Sequence, residues 1–204
     1  MKKISSLILS LAVSFLLYSC GINYPAESAV AGADAQSYYG NCVNVNMDEL
    51  AQNVYLNVPY VKQDENYCGP ASLAMVLKYY GQDVNQVELG QGIVGEDGVS
   101  TTDLLQKAID LGFNAEAYSC PIENLFYYVS QNIPVMVRIV NNAGTNGHFV
   151  IVIGYDIDSK MIYVNDPGIY KNTELSFSEF KNIWNVRTLS EDNNSWNQMV
   201  VVRP

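Results

Sequence analysis

Residues 68 to 80, Cys68-Gly-Pro-Ala-Ser-Leu-Ala-Met-Val-Leu-Lys-Tyr-Tyr80, constrain this chain more than any other stretch. Pro70 suits the first turn of a helix, where a missing N–H costs nothing, and Gly81 suits the position just past its end. Between them Ala71, Leu73, Ala74, Met75, Val76 and Leu77 leave almost no polar face. A helix apolar on most sides must be buried, so the sequence predicts a core helix against which the other elements pack. Cys68 stands at its N-terminus, where the helix dipole and unpaired N–H groups favour an anion. Two readings fit that position: a thiol biased toward the nucleophilic thiolate, or a buried structural cysteine.

The chain has 204 residues and is 49% hydrophobic, enough for one domain with a well-filled core. Its formal charge is −10, and no basic stripe exists that could displace counterions from phosphates, which argues against nucleic-acid binding. No repeat of 20 to 50 residues suggests a solenoid.

Met1-Lys2-Lys3 and the apolar run Ile4 to Tyr18 have the build of a secretory signal, too short for a comfortable membrane span. Leu17-Tyr18-Ser19-Cys20-Gly21 resembles the bacterial lipobox. That resemblance implies a signal peptide over residues 1–19, lipidation of Cys20, and a lipoprotein held on the membrane at the cell envelope, on the periplasmic side or the cell surface. An ordinary signal cleaved nearby, with Cys20 incidental, is the alternative. Residues 20–40 are rich in Ala, Ser and Gly and read as a flexible tether, leaving residues 41–204 as the folded domain.

Within that domain a short helix is predicted over Asp48 to Asn53, then an extended entry segment over Val54 to Val61. A further short helix spans Val84 to Leu89. Ser100 or Thr101 caps a helix with Leu104, Leu105, Ala108 and Ile109 at helical spacing, closed by Gly112. Asn114 to Cys120 alternates, and Pro121 opens a helix carrying Leu125, Phe126 and Val129 inward. The period then changes: Pro134 to Val140, Gly147 to Tyr155, Lys160 to Asn165 and Gln198 to Val202 have strand composition, with a helix over Ser178 to Trp184. Helices first and strands later predict an α+β fold, a helical half packed on a mostly antiparallel sheet.

Two local patterns carry little. Gly90-Gln-Gly92-Ile-Val-Gly95 matches a dinucleotide-binding pattern by letter, but it follows a predicted helix instead of a strand, so no cofactor is assigned. Asp156-Ile-Asp158-Ser159 lacks the spacing and further oxygen ligands of a calcium loop and reads as a hairpin turn.

A cysteine nucleophile needs a base, a group to orient it, and donors for the oxyanion. His148, in Gly147-His148-Phe149, is the sole histidine, so it alone could supply an imidazole. Asp166 ends the following strand, in Asn165-Asp166-Pro167-Gly168. If the two strands form the hairpin their turn suggests, the end of the second returns to the start of the first and brings Asp166 beside His148. Asn165 alternates to the opposite face and is a weaker candidate. Gln63, five residues before Cys68, could add a side-chain amide to the Cys68 N–H as an oxyanion hole, or could be a surface residue.

Gln63, Cys68-Gly-Pro-Ala-Ser, Gly147-His148-Phe149, Gly154-Tyr155-Asp156 and Asp166-Pro167, in that order, resemble the papain-like cysteine peptidases of the bacteriocin-processing, double-glycine leader family. The resemblance spans about Val58 to Gly168. It implies a papain-like fold with Cys68 as nucleophile, His148 as general base and acid, Asp166 orienting His148, and Gln63 in the oxyanion hole. The partner implied is a peptide or protein substrate, met by a stand-alone, exported, monomeric enzyme. A non-catalytic peptide-binding module, or transfer of the acyl group to an amine, uses the same scaffold. Cys42 and Cys120 could form a disulfide in an oxidising compartment. No C-x-x-C or paired histidines point to a metal.

Overall fold

The computed structural model describes residues 40–140, 147–169, 171–184 and 197–204. The predicted signal peptide, Cys20 and all but the last residue of the tether lie outside them. The elements are β1 (Asn53–Tyr55), α1 (Cys68–Tyr79), α2 (Gln86–Gly90), α3 (Thr101–Asp110), β2 (Asn114–Ser119), α4 (Ile122–Ser130), β3 (Val135–Val140), β4 (Gly147–Asp156), β5 (Met161–Asn165), β6 (Thr173–Ser176), α5 (Phe177–Trp184) and β7 (Gln198–Arg203). Among the described residues the strands form a sheet of order β2-β7-β3-β4-β5-β6, with β1 pairing β4. Every pairing is antiparallel, and the α+β expectation holds.

Nine residues of α1, Gly69 to Leu77, are buried, and the helix packs on β3, β4, α2 and α3. Its apolar sequence admits no other place, because exposing this run to water would forfeit about 25 cal/mol for each Å² of apolar surface. The helix ends as the sequence predicts: Gly81 takes a left-handed φ of 84°, which glycine adopts without Cβ strain. Ser100 caps α3, its side chain accepting from the Asp103 N–H at 3.1 Å.

Three details depart from the sequence reading. The helix expected over Asp48 to Asn53 is a single 3₁₀ turn, Met47–Glu49, because the Asn46 side chain caps it early and Asn53 is drawn into β1 against Asp156. The segment expected to be extended over Val54 to Val61 is a strand only at its start, and it tightens where the Val58 N–H donates to the Leu56 carbonyl at 2.9 Å. β6 was not legible in Thr173-Glu-Leu-Ser176, because an edge strand with one large apolar residue has weak strand composition. The hairpin turn at Asp156 is formed as expected, with its carboxylate accepting from the Ser159 N–H at 2.9 Å.

Cys42 and Cys120 are joined as a disulfide across 78 residues of sequence. The bond fixes the segment before the 3₁₀ turn to the start of α4, where Asn124 also exchanges two hydrogen bonds with the Val43 backbone. Closing so long a loop restricts the unfolded chain, so Cys42→Ala with Cys120→Ala is expected to lower unfolding stability by about 2–4 kcal/mol. Denaturant titration of both forms checks it; equal midpoints would mean the unfolded chain gains nothing from the cut.

Candidate active site

The strand β5 meets β4 only from Ile151 onward, pairing it with Asn165. This leaves the opening residues of β4, Gly147 to Val150, without a β5 neighbour, and the N-terminus of α1 takes that edge. Ser72 lies one turn after Cys68 and donates its buried hydroxyl to the Phe149 carbonyl at 3.1 Å. The Phe149 and Gly69 backbone N–H groups and the His148 ring all draw the Cys68 thiol down, which places them around its sulfur. Sheet and helix are therefore locked together one residue from the imidazole.

The hairpin delivers what the alternation implied. Asp166 Oδ1 lies 2.7 Å from His148 Nε2 and also accepts from the Gly168 N–H at 2.8 Å. With Nε2 engaged by Asp166, Nδ1 is the ring nitrogen left for Cys68. The His148 and Asp166 side chains keep only 17% and 10% of their exposure, so water screens their attraction weakly. Asn165 turns away and is fully buried; its amide donates to Val58 O at 3.3 Å and accepts from Asn172 N–H at 3.0 Å. Its role is to fasten the entry segment to the end of β5.

The electrostatics follow from this chain of contacts. Burial pushes the Cys68 thiol up, but the His148 hydrogen bond, the Phe149 N–H, the imidazolium charge and the Gly69 N–H together bring it below its ordinary value. Burial pulls His148 down, while the bond to Asp166, the bond to Cys68 and the charges of both raise it to about 9. A thiol shifted down beside an imidazole shifted up is biased in the direction of a thiolate–imidazolium pair.

Gln63 is held beside the same cluster. Its backbone N–H donates to Pro167 O at 2.9 Å, and the Gln86 side chain brackets it, accepting from Asp64 N–H and donating to Lys62 O, both at 3.0 Å. The Gln63 Oε1 atom is buried with no hydrogen-bond partner among the described residues. A Cβ at Gly168 would lie 3.2 Å from that oxygen and 3.3 Å from His148 Cε1, so a larger residue there would press on both. Tyr60 donates to the Asp166 carbonyl at 3.1 Å and steadies the same loop.

Cys68, His148, Asp166 and Gln63 thus converge. Ser72, Tyr60, Gln86 and Gly168 were not singled out by the sequence; only Ser72 carried a signal, its spacing of four from Cys68 on one helix face. The letter match Gly90 to Gly95 begins on the last residue of α2 and ends before α3, and Gly95 pairs with Gly98 in a small turn, so it has no strand-to-helix context. Among the described residues no group of three or more His, Cys, Asp or Glu could hold a metal ion, and no helix is long and apolar enough to cross a membrane.

Residues 55–190 match the family model described as the Peptidase_C39 like family. Over 124 residues, 59% of this chain, it is 33% identical to the pediocin PA-1 transport/processing ATP-binding protein PedD of Pediococcus acidilactici. Over 127 residues, 62% of this chain, it is 32% identical to the transport/processing ATP-binding protein ComA of Streptococcus pneumoniae. The aligned regions are only 16% and 17% of those proteins' own lengths. Among solved structures, a double glycine motif protease from an AMS/PCAT transporter, in complex with the leader peptide, superposes with a TM-score of 0.56 at 26% identity, covering 76% of this chain and 99% of that one. A C39-like peptidase from Bacillus anthracis superposes at 0.58 with 22% identity, covering 76% and 98%, and shares the fold. The match over residues 55–190, on a helix-and-antiparallel-sheet fold shared with these structures, shows that the chain belongs to the Peptidase_C39 like family and has its papain-like fold.

Proposed function

We propose that this protein hydrolyses peptide bonds by thiol catalysis, with Cys68 as nucleophile, His148 as general base and acid, Asp166 as the group that orients the imidazole, and Gln63 with the Cys68 N–H as oxyanion donors. The observation that carries the reading is the line from Cys68 through His148 to Asp166, with the thiol shifted down and the imidazole up. The Cys68 thiolate attacks the scissile carbonyl carbon, forming a C–S bond while the carbonyl oxygen takes the electron pair. That oxyanion is stabilised by the two donors. As the C–N bond breaks, His148 gives its proton to the departing amine. Water then adds to the thioester, His148 taking its proton, and the C–S bond breaks to release the carboxylate product and the thiolate.

A peptide substrate is supported by the leader peptide bound to the structural relative. Labelling with a thiol-directed peptide electrophile tests the nucleophile. Wild type labels, Cys68→Ala does not, and His148→Ala labels slowly; equal labelling of Cys68→Ala would move the reactive centre elsewhere.

The lipobox-like Leu17-Tyr18-Ser19-Cys20-Gly21 supports action at the cell envelope on a lipid anchor at Cys20. Fractionation should then find wild type in membranes and Cys20→Ala in the soluble fraction. A soluble distribution for both would remove the anchor.

A further inference from the structure

A cavity of about 280 Å³ opens on the imidazole side of the site. Its polar end is Gln63, His148, Asp166 and Gly168, the cluster already described. The remainder is nearly all aliphatic or aromatic, with Ile139, Val150, Val164, Leu175, Phe180 and Ile183 in its wall. Strand alternation explains why these residues meet there. Val150 shares a face with His148, Val164 shares a face with Asp166, and Ile139 sits across the ladder from His148. The helix α5 packs on β3, β5 and β6 and adds Phe180 and Ile183.

The position of the cavity says which part of a substrate it meets. His148 must reach the nitrogen that leaves, so the residue carrying that nitrogen lies on the imidazole side of the scissile bond. The acyl part is held on the sulfur at the head of α1. A side chain on the leaving residue therefore faces the wall formed by Ile139, Val150 and Leu175. A space this small is below the range of about 300–1,000 Å³ usual for whole ligands, and suits one side chain.

We infer that this cavity receives the side chain of the residue immediately after the scissile bond, so the substrates are peptides with a Leu, Ile, Met or Phe at that position. The inference rests on the proposed peptidase reading and adds the substrate class to it. An apolar side chain entering this wall leaves water, whereas a charged one would lose its hydration with no partner in the aliphatic part of the cavity. One methylene in such a pocket is worth about 10- to 200-fold in kcat/KM, so discrimination of Leu against Gly should reach at least tenfold.

The test digests a proteome-derived peptide library with wild type and with Cys68→Ala, and reads the new N-termini that only wild type produces. Large apolar residues should head those termini. Ile183→Trp, which fills the cavity from a half-buried site on α5, should move the preference toward Gly, Ala and Ser; Leu175→Ala should widen it toward Phe and Trp. Thermal unfolding and electrophile labelling of each variant establish that it is folded with Cys68 reactive. Cys68-dependent cleavage with indifferent or charged new N-termini overturns the cavity assignment and leaves the peptidase reading standing. So does a preference confined to the residue before the cut. Absence of any Cys68-dependent cleavage overturns both.

Discussion

His148→Ala should lower kcat/KM for peptide cleavage by about 10²–10⁴-fold, the usual contribution of a positioned acid and base. The loss has two sources. The imidazole no longer delivers a proton to the leaving amine, and the thiol loses two of the four influences that hold its pKa down. Cys68→Ala should remove turnover altogether, because no other thiol among the described residues is free. Asp166→Asn separates the roles, since it keeps the shape of the orienting group and removes its charge. It should keep Cys68 reactive toward an electrophile while slowing acylation. A His148→Ala enzyme cleaving peptides within a few-fold of wild type would end the proposed assignment of the base.

The pH profile should have its alkaline limb near 9. His148 is raised from 6.5 to about 9, so the imidazolium persists through neutral pH and loses its proton as pH climbs past that value. The acid limb marks protonation of Cys68 and lies below the ordinary thiol range, because the thiol is shifted down. The same shifts bear on folding. A histidine raised above its unfolded value contributes stability that is complete below about pH 6.5 and fades as pH rises through about 9. Cys68, lowered, contributes stability that is complete above 9.0 and fades as pH falls through its lowered value. Asp166→Asn removes a charge in direct contact with the ring, so it should move the alkaline limb down by about 1–3 pH units. An alkaline limb unmoved in that variant would mean that Asp166 does not hold the imidazolium. Profiles of kcat/KM for wild type and Asp166→Asn decide the matter.

The sequence made the two halves of the site legible for different reasons. The continuous apolar run after Cys68 and the proline and glycine at its ends left only a buried helix beginning at the thiol. The turn at Asp156 and the β-rich runs on either side implied a hairpin, whose ladder ends at Ile151 and Asn165 and so brings Asp166 within side-chain reach of His148. Nothing in the sequence joins those halves, because the Ser72 bond to Phe149 is a contact between elements 77 residues apart. Gln63 was readable by its distance from Cys68, but the Gln86 bracket that fixes it depends on where α2 packs. The cavity was equally hidden: its wall comes from β3, β4, β5, β6 and α5, and each residue in isolation reads as ordinary core.

The bond between Cys42 and Cys120 has a mechanical corollary. When the chain is stretched from its two ends, tension entering at Cys42 crosses the sulfurs directly to Cys120 and then runs to Pro204. Residues 43 to 119, with Gln63, Cys68 and the helix behind it, form a loop that carries none of that load. At about 3.3–3.6 Å for each extended residue, this bypass withholds roughly 250–280 Å of contour from stretching while the sulfurs stay joined. An oxidised molecule pulled by its termini therefore gains length only from the chain before Cys42 and after Cys120, and the nucleophile-bearing loop adds no contour.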